Sequence, residues 1–438
     1  MKIKIVLSLL LALSPISLAT AAGVQSPETR INDLAFDLYR QLPGPDQNIV
    51  FSPYSLTTLL SKLALGSQGQ TRDQFNLIFK SQNNDDARAI NTAFNNMDHS
   101  LPSCHGWFNC QFMKFRHLFS SGSSFESADA FWADTKFNYK QTFLNEFDDT
   151  YVSFKTVDFA HDPEKARTTI NGWVEQKTDN EIKELLPPPS INNSTAFVII
   201  NALYFNGKWS LPFKPDKTNK QTFIVSNDTQ GQVDMMFQED KFAYVETDEV
   251  QMVQLDYKKS ALAMAVILPK PGHTLDEVRK SLNADYFNQL LSQSQVQDID
   301  LYLPKFDIES DFSQLQGSLI SLGLKLPFQS RGADFSLMTD YPVYISTIIQ
   351  KAVIHVDEQG TIAAAATAGV VMYGGLPDYP IFKANHPFIY IIFDKPSKLV
   401  MFMGQFTTPG KIENCGNHCE KVKIERTFQI EGLTPFKS

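Results

Sequence analysis

Glu358-Gln359-Gly360-Thr361-Ile362-Ala363-Ala364-Ala365-Ala366-Thr367-Ala368 decides how the rest of this chain is read. A surface loop carries turn formers and charge, yet Thr361 to Gly369 contains no Pro, Asp, Asn, Lys or Glu. Alanine is the best helix former, so composition alone allows a short helix. The other reading is a strand kept outside its sheet. In a strand, side chains alternate faces, so Thr361, Ala363, Ala365 and Thr367 would point one way and Ile362, Ala364, Ala366 and Ala368 the other. The first set is small enough to slide over a packed core without overfilling it. Gly360 supplies the backbone freedom a hinge needs at the strand's root.

The flanks decide for the strand. Upstream lie Val343-Tyr344-Ile345-Ser346 and Lys351-Ala352-Val353-Ile354-His355-Val356-Asp357-Glu358; downstream lie Phe382-Lys383-Ala384-Asn385-His386-Pro387-Phe388 and Phe402-Met403-Gly404-Gln405-Phe406. Further back come Asn48-Ile49-Val50-Phe51-Ser52-Pro53-Tyr54-Ser55, Asn171-Gly172-Trp173-Val174-Glu175-Gln176-Lys177-Thr178, Asn201-Ala202-Leu203-Tyr204-Phe205-Asn206-Gly207-Lys208-Trp209 and Leu301-Tyr302-Leu303-Pro304-Lys305-Phe306. From Arg30 to Pro409, in the same order, these resemble the serpin family. The resemblance implies an α+β fold: one serpin-like domain over 22–409, a large mostly antiparallel central sheet, two smaller sheets, about eight or nine helices and an exposed reactive loop over 358–381.

It also implies a use of catalysis in which the target protease supplies the nucleophile and this chain supplies the bond, so no enzymatic activity and no cofactor are expected. The implied partner is an extracellular serine protease met by a monomer, with no nucleic acid and no membrane. The hinge is implied to be Glu358, Gly360, Thr361, Ala363, Ala365 and Thr367. Ser52, Ser55 and Asn201 match family positions beneath the opening sheet, Gln350 stands where many serpins carry a His, and Trp209 matches a tryptophan near the root of the loop. As buried groups, these residues also read as satisfied polar side chains and a core aromatic.

Counting on from Glu358 by the family pattern lands on Gly374, and counting back from Asn385 lands near Leu376. Leu376 precedes Pro377, and Gly374 offers a specificity pocket nothing to grip. Tyr373 followed by Gly374 is therefore the expected reactive bond, with Met372 next. Between Lys351 and Lys383 there is no Lys or Arg. A trypsin-like pocket with a buried carboxylate would find no charge partner there. The expected targets are chymotrypsin-like or elastase-like, with cathepsin-like cysteine proteases as a further class. A non-inhibitory carrier, storage or signalling serpin is the competing function, because fold does not fix function.

Bulk properties agree with an ordinary globular chain: 43% hydrophobic residues, 20% charged, and a net charge of -9 that gives no electrostatic reason to expect nucleic acid or an anionic membrane. The small basic run Lys114 to His117 reads as solvated face or, less specifically, a glycosaminoglycan site. Met1-Lys2-Ile3-Lys4, the apolar run Ile5 to Leu13 and Ala19-Thr20-Ala21 predict a secretory signal peptide over 1–21 and a secreted, extracellular product. Asn192, Asn193 and Asn227 head glycosylation triplets, as in a secreted chain. Cys104 with Cys110 and Cys415 with Cys419 form two close pairs; secretion favours disulfides, with three connectivities open, while a zinc site with His105 or His418 is the alternative. No nucleophile elbow, metalloprotease helix or phosphate loop is present.

Along the chain, the spacing predicts helices over Ile31 to Leu42, Ser55 to Leu65 and Pro163 to Leu186, the last halted by Pro187-Pro188-Pro189. Strands are predicted over Ser127 to Ala133, Val152 to Phe159, Phe197 to Phe205 and Leu262 to Leu268. Ser100 to Ser124 reads as an insertion. Gly410 to Ser438 extends past the usual serpin end; its alternating Val422, Ile424, Phe428 and Ile430 fit either an added edge strand or a disordered tail.

Overall fold

The computed structural model describes residues 26–42, 44, 46–81, 88–90, 92, 124–147, 152–312, 315–361, 379–410 and 412–414. The signal segment, most of the insertion, the loop beyond Thr361, the tail beyond Asn414 and all four cysteines lie outside these residues.

Two sheets organise the chain. The first is mixed and runs Phe306–Phe312, Thr347–Val356, Phe197–Lys208, Ser124–Asp134, Ser153–Val157, with the short Gly360–Thr361 strand also on Phe197–Lys208. It contains two parallel pairings. One joins Thr347–Val356 to Phe197–Lys208, and the other joins Ser124–Asp134 to Ser153–Val157. The two smaller sheets expected from the sequence run together into one ten-stranded sheet. The physical reason is Thr229–Glu246, an 18-residue strand long enough to pair with Gln295–Pro304 along one stretch and with Val250–Asp256 along another.

Helices cover both faces of the first sheet. Pro53–Gly66 starts where Ser52 accepts a hydrogen bond from the Ser55 N–H and Pro53 sets the first turn. Almost every one of its residues is buried, so it is a core helix with no solvent stripe. It lies in the main core with Phe197, Ile199, Leu203, Phe205, Ile348, Ala352 and Ile354 of the sheet. Alternation sends Val198, Ile200, Ala202, Tyr204, Ile349 and Val353 to the opposite face, where Ile170 and Val174 of helix Pro163–Lys177 cover them. Both faces being buried explains the unbroken apolar reading of Phe197 to Phe205.

Pro163–Lys177 ends well short of the predicted Leu186. Thr178 caps it, donating its hydroxyl to Val174 O and accepting from Ile182 N, and Asp179 and Asn180 take positive φ. The chain then doubles back along the helix. Asn171 holds both the N–H and C=O of Leu186, at 2.8 and 2.9 Å, and Arg167 donates to the same carbonyl at 2.7 Å. Beyond Gly410, the described part of the extension is a short strand, Ile412–Asn414, paired antiparallel to Thr229–Gly231.

Candidate functional site

The Thr347–Val356 strand ends in a reversal. Asp357 N–H donates to Gly360 O at 2.9 Å, Gly360 N–H returns a bond to Asp357 O, and the Asp357 carboxylate accepts from Gln359 N–H at 2.9 Å. Gly360 has φ +139, and a Cβ there would sit 2.1 Å from the Gly207 carbonyl oxygen. Only glycine fits. The reversal lays Gly360 and Thr361 antiparallel against Lys208 and Gly207. The tract read as standing wholly outside its sheet therefore has its root already paired.

Around this root, Trp209 and Glu358 act as fasteners. The Trp209 indole N–H donates to Asp357 O at 3.0 Å and its backbone N–H to Gln359 O at 2.9 Å, while the ring stacks on Tyr257 with centroids 4.7 Å apart. Phe213 N–H donates to Glu358 O at 2.8 Å. The Glu358 carboxylate accepts from the Thr218 hydroxyl at 2.8 Å and from Lys305 at 2.9 Å. Burial pushes the Glu358 pKa up, but these bonds outweigh it and hold the carboxyl below the usual glutamate range. The hydrogen bond from the same pair holds Lys305 above the usual lysine range.

Midway along the sheet, Ser52, Ser55, Asn201 and Gln350 come together in one buried network. Gln350 and Asn201 face each other across the parallel seam. The Gln350 amide N–H donates to Asn201 Oδ1 and, at 3.0 Å, to Ser52 O; its Oε1 accepts from Ser52 N–H at 3.2 Å. Asn201 Nδ2 donates to Ser55 Oγ and to Asp129 Oδ1, and the Ser55 hydroxyl donates to Asp129 Oδ2 at 2.6 Å. Ser52 Oγ donates to Met401 O at 2.7 Å, tying the network to the second sheet. Gln350 thus both donates and accepts in this network.

Asp129, Thr218, Tyr257 and Lys305 are the members that sequence reading missed. The signal available for Asp129 was weak, a lone Asp in the apolar Ala128-Asp129-Ala130-Phe131; only its register opposite Asn201 brings it to Ser55. Asn192 and Asn193 sit exposed on the turn before Phe197–Lys208, and Asn227 is exposed in the turn between Asn219–Ser226 and Thr229–Glu246. Ala363, Ala365, Thr367, Met372, Tyr373, Gly374 and the four cysteines lie outside the described residues. Among the described residues, no His, Cys, Asp and Glu cluster is arranged to hold a metal, and no helix is long and apolar enough to cross a membrane.

Fold and site together define a class: a two-sheet α+β domain whose mixed sheet has a parallel seam at its centre and a tethered segment rooted beside that seam. A family model described as serpin (serine protease inhibitor) matches residues 29–409. The chain is 32% identical over 387 residues to a serpin-like protein of Thermococcus kodakarensis, covering 86% of this chain and 85% of that one. It is 30% identical to human Serpin B4, covering 85% and 97%. Among solved structures, a complex of thyroxine-binding globulin with thyroxine shares the fold at a TM-score of 0.75 and 24% identity, over 88% of this chain and 99% of that one. The chain belongs to the serpin family.

Proposed function

We propose that this protein is a secreted suicide inhibitor of chymotrypsin-like or elastase-like serine proteases. The observation that carries the reading is the register of Gly360 and Thr361 on Lys208 and Gly207. Residues directly opposite in a sheet share a face. Gly207 has the parity of Phe197, Ile199, Leu203 and Phe205, which belong to the main core. Continued in that register, Ala363 falls opposite Phe205, Ala365 opposite Leu203 and Thr367 opposite Asn201. The small set thus turns to the core, and the Thr367 hydroxyl arrives between Asn201 and Gln350, whose mutual hydrogen bond the incoming strand must break.

The same register brings Val371 opposite Phe197, the first residue of that strand. Met372, Tyr373 and Gly374 then fall just past the end of the sheet. In the proposed reaction, the protease serine oxygen attacks the Tyr373 carbonyl carbon. The peptide bond to Gly374 breaks, the Gly374 amine leaves with the proton, and an ester joins protease to loop. Full insertion, about 40 Å at 3.3 Å per residue, carries the ester to the far end of the sheet. One parallel ladder is exchanged for two antiparallel ones, a net gain on the order of 10 kcal/mol at about 1 kcal/mol per bond. That is enough to displace catalytic groups that must stay placed within ångströms, so ester hydrolysis stalls.

The absence of Lys and Arg between Lys351 and Lys383 supports the choice of target, and the apolar leader supports secretion. The reading needs one copy of the chain and no cofactor. A carrier function is the second reading, favoured by the likeness in fold to a thyroxine-bound protein. Incubation of the mature chain with chymotrypsin separates them: inhibition gives an adduct stable to denaturing electrophoresis and a released fragment whose mass begins at Gly374. Cleaved loop beside fully active protease overturns it.

A further inference from the structure

We infer that Asp129 is a positioning residue for loop insertion, its carboxylate serving as the proton-sensitive acceptor that fastens the mobile half of the sheet to the helix beneath. The inference rests on the insertion reading above. If a strand enters between Phe197–Lys208 and Thr347–Val356, the strands on the Phe197 side must shift by about one strand spacing, 4.8 Å. Helix Pro53–Gly66 lies under them, and the bond from Ser55 to Asp129 joins helix to sheet across that sliding contact.

The direction of the bonds makes this contact sensitive to a proton. Gln350 is oriented by the Ser52 backbone at both ends of its amide. It therefore presents N–H to Asn201 Oδ1, and Asn201 presents Nδ2 to Asp129. Asn201 and Ser55 each present a donor to Asp129, which satisfies both as an acceptor on its two oxygens. A proton on the carboxyl places a donor among donors. Ser55 can accept it only by turning its own O–H away from Asp129, which replaces a charge-assisted bond between sheet and helix with a weaker neutral one and leaves the Ser55 proton without its acceptor.

The groups bearing on Asp129 are neutral: Ser55 from the helix, Asn201 from the adjacent strand with Gln350 behind it, and Ser127 on its own strand. Charged side chains on the elements packed around it are engaged elsewhere. Lys62 of the helix donates to Glu146 O, Lys351 pairs with Glu309, His355 with Asp307, Lys155 lies over the Trp132 and Trp173 rings, and Asp134 accepts from Phe159 and Ala160 N–H. Asp129 is 5% exposed. Burial without a cation pushes its pKa up to about 6, while the hydrogen bonds from Ser55, Asn201 and Ser127 pull the other way.

Opening the sheet carries Asn201 along with Asp129 but withdraws the Ser55 donor while the carboxyl stays among protein, so its pKa rises further and opening takes up a proton. Acid therefore speeds opening. It does not unfold the protein through this group: the folded pKa lies above the ordinary aspartate value, so stability from Asp129 is full below that value and lost as pH rises through about 6.

The probe is a synthetic peptide with the sequence of residues 361–371, added to the full mature chain, with annealing followed by the fraction of heat-resistant protein. Between pH 7.5 and 5.5 the annealing rate should rise about twentyfold with a midpoint near 6, the increase in the protonated fraction over that span. Asp129→Asn, with one acceptor and one donor, should anneal fast at both pH values. Ser55→Ala, which removes one pKa-lowering bond, should move the midpoint to higher pH and serves if Asp129→Asn does not fold. A pH-independent rate in the unaltered chain, or a midpoint unmoved in Ser55→Ala, overturns the role of Asp129. A peptide that enters at no pH overturns the insertion reading and this inference together.

Discussion

At Gly360 a single missing Cβ decides where the hinge sits. Its positive φ and the 2.1 Å approach to the Gly207 carbonyl both exclude a side chain. Gly360→Ala should unpair the root strand at a cost of about 1–3 kcal/mol in strain. The fold should survive, because the strand pairings on either side are separate. Faster hydrogen exchange at Gly360 and Thr361 with unchanged exchange in Thr347–Val356 checks this; equal protection in both forms contradicts the tight fit. Sequence reading found Gly360 because a glycine before an alanine tract is locally visible. It found Ser52, Ser55, Asn201 and Gln350 through resemblance. Asp129 escaped because its role depends on a pairing between residues far apart in the chain, with nothing in its neighbours to mark it.

At the scale of elements, the turn from Asp357 to Gly360 is held by residues from three other segments: Thr218, Lys305 and the Trp209 to Phe213 stretch. The ion pair between Lys305 and Glu358 is uneven in exposure, 39% against 11%, so its contribution is about 1 kcal/mol after screening by solvent. Its sign with pH follows from the carboxylate. A Glu358 pKa held below the ordinary value gives stability present above that value and lost as pH falls through the folded one. Lys305→Met should therefore lower thermal stability at pH 7 and make little difference once the pH has fallen below the depressed folded pKa of Glu358, where the carboxyl is protonated in both forms. An equal loss at both pH values would assign the effect to packing of the lysine stem. Elements with a continuous apolar or periodic signal, such as Phe197–Lys208 and Pro53–Gly66, were legible from sequence. The end of Pro163–Lys177 was not, because Asn171 and Arg167 draw the next segment back along the helix and Leu186 keeps a buried, helix-like pattern without being helical.

Across the whole molecule, the intact fold and the proposed inserted fold differ by one strand. The sheet has two parallel seams where an incoming chain can run antiparallel to both neighbours, and the one between Thr347–Val356 and Phe197–Lys208 is where Gly360 and Thr361 have begun to pair. Antiparallel pairing is the more stable arrangement per residue, so the proposed mechanism requires the closed sheet to be held short of its best ladder while the loop is tethered at both ends. Cutting the loop releases one end. The cut chain should then melt about 12 °C above the intact one, the size of shift that on the order of 10 kcal/mol produces in a domain of this length. Thr361→Arg supplies the control, since in the proposed insertion register that position, opposite Gly207, belongs to the core-facing set and a buried unpaired charge opposes insertion. Its cut form should melt with its intact form. If the cut unaltered chain gains no heat resistance, the sheet does not take up the loop, and the ladder exchange argued from the seam does not occur.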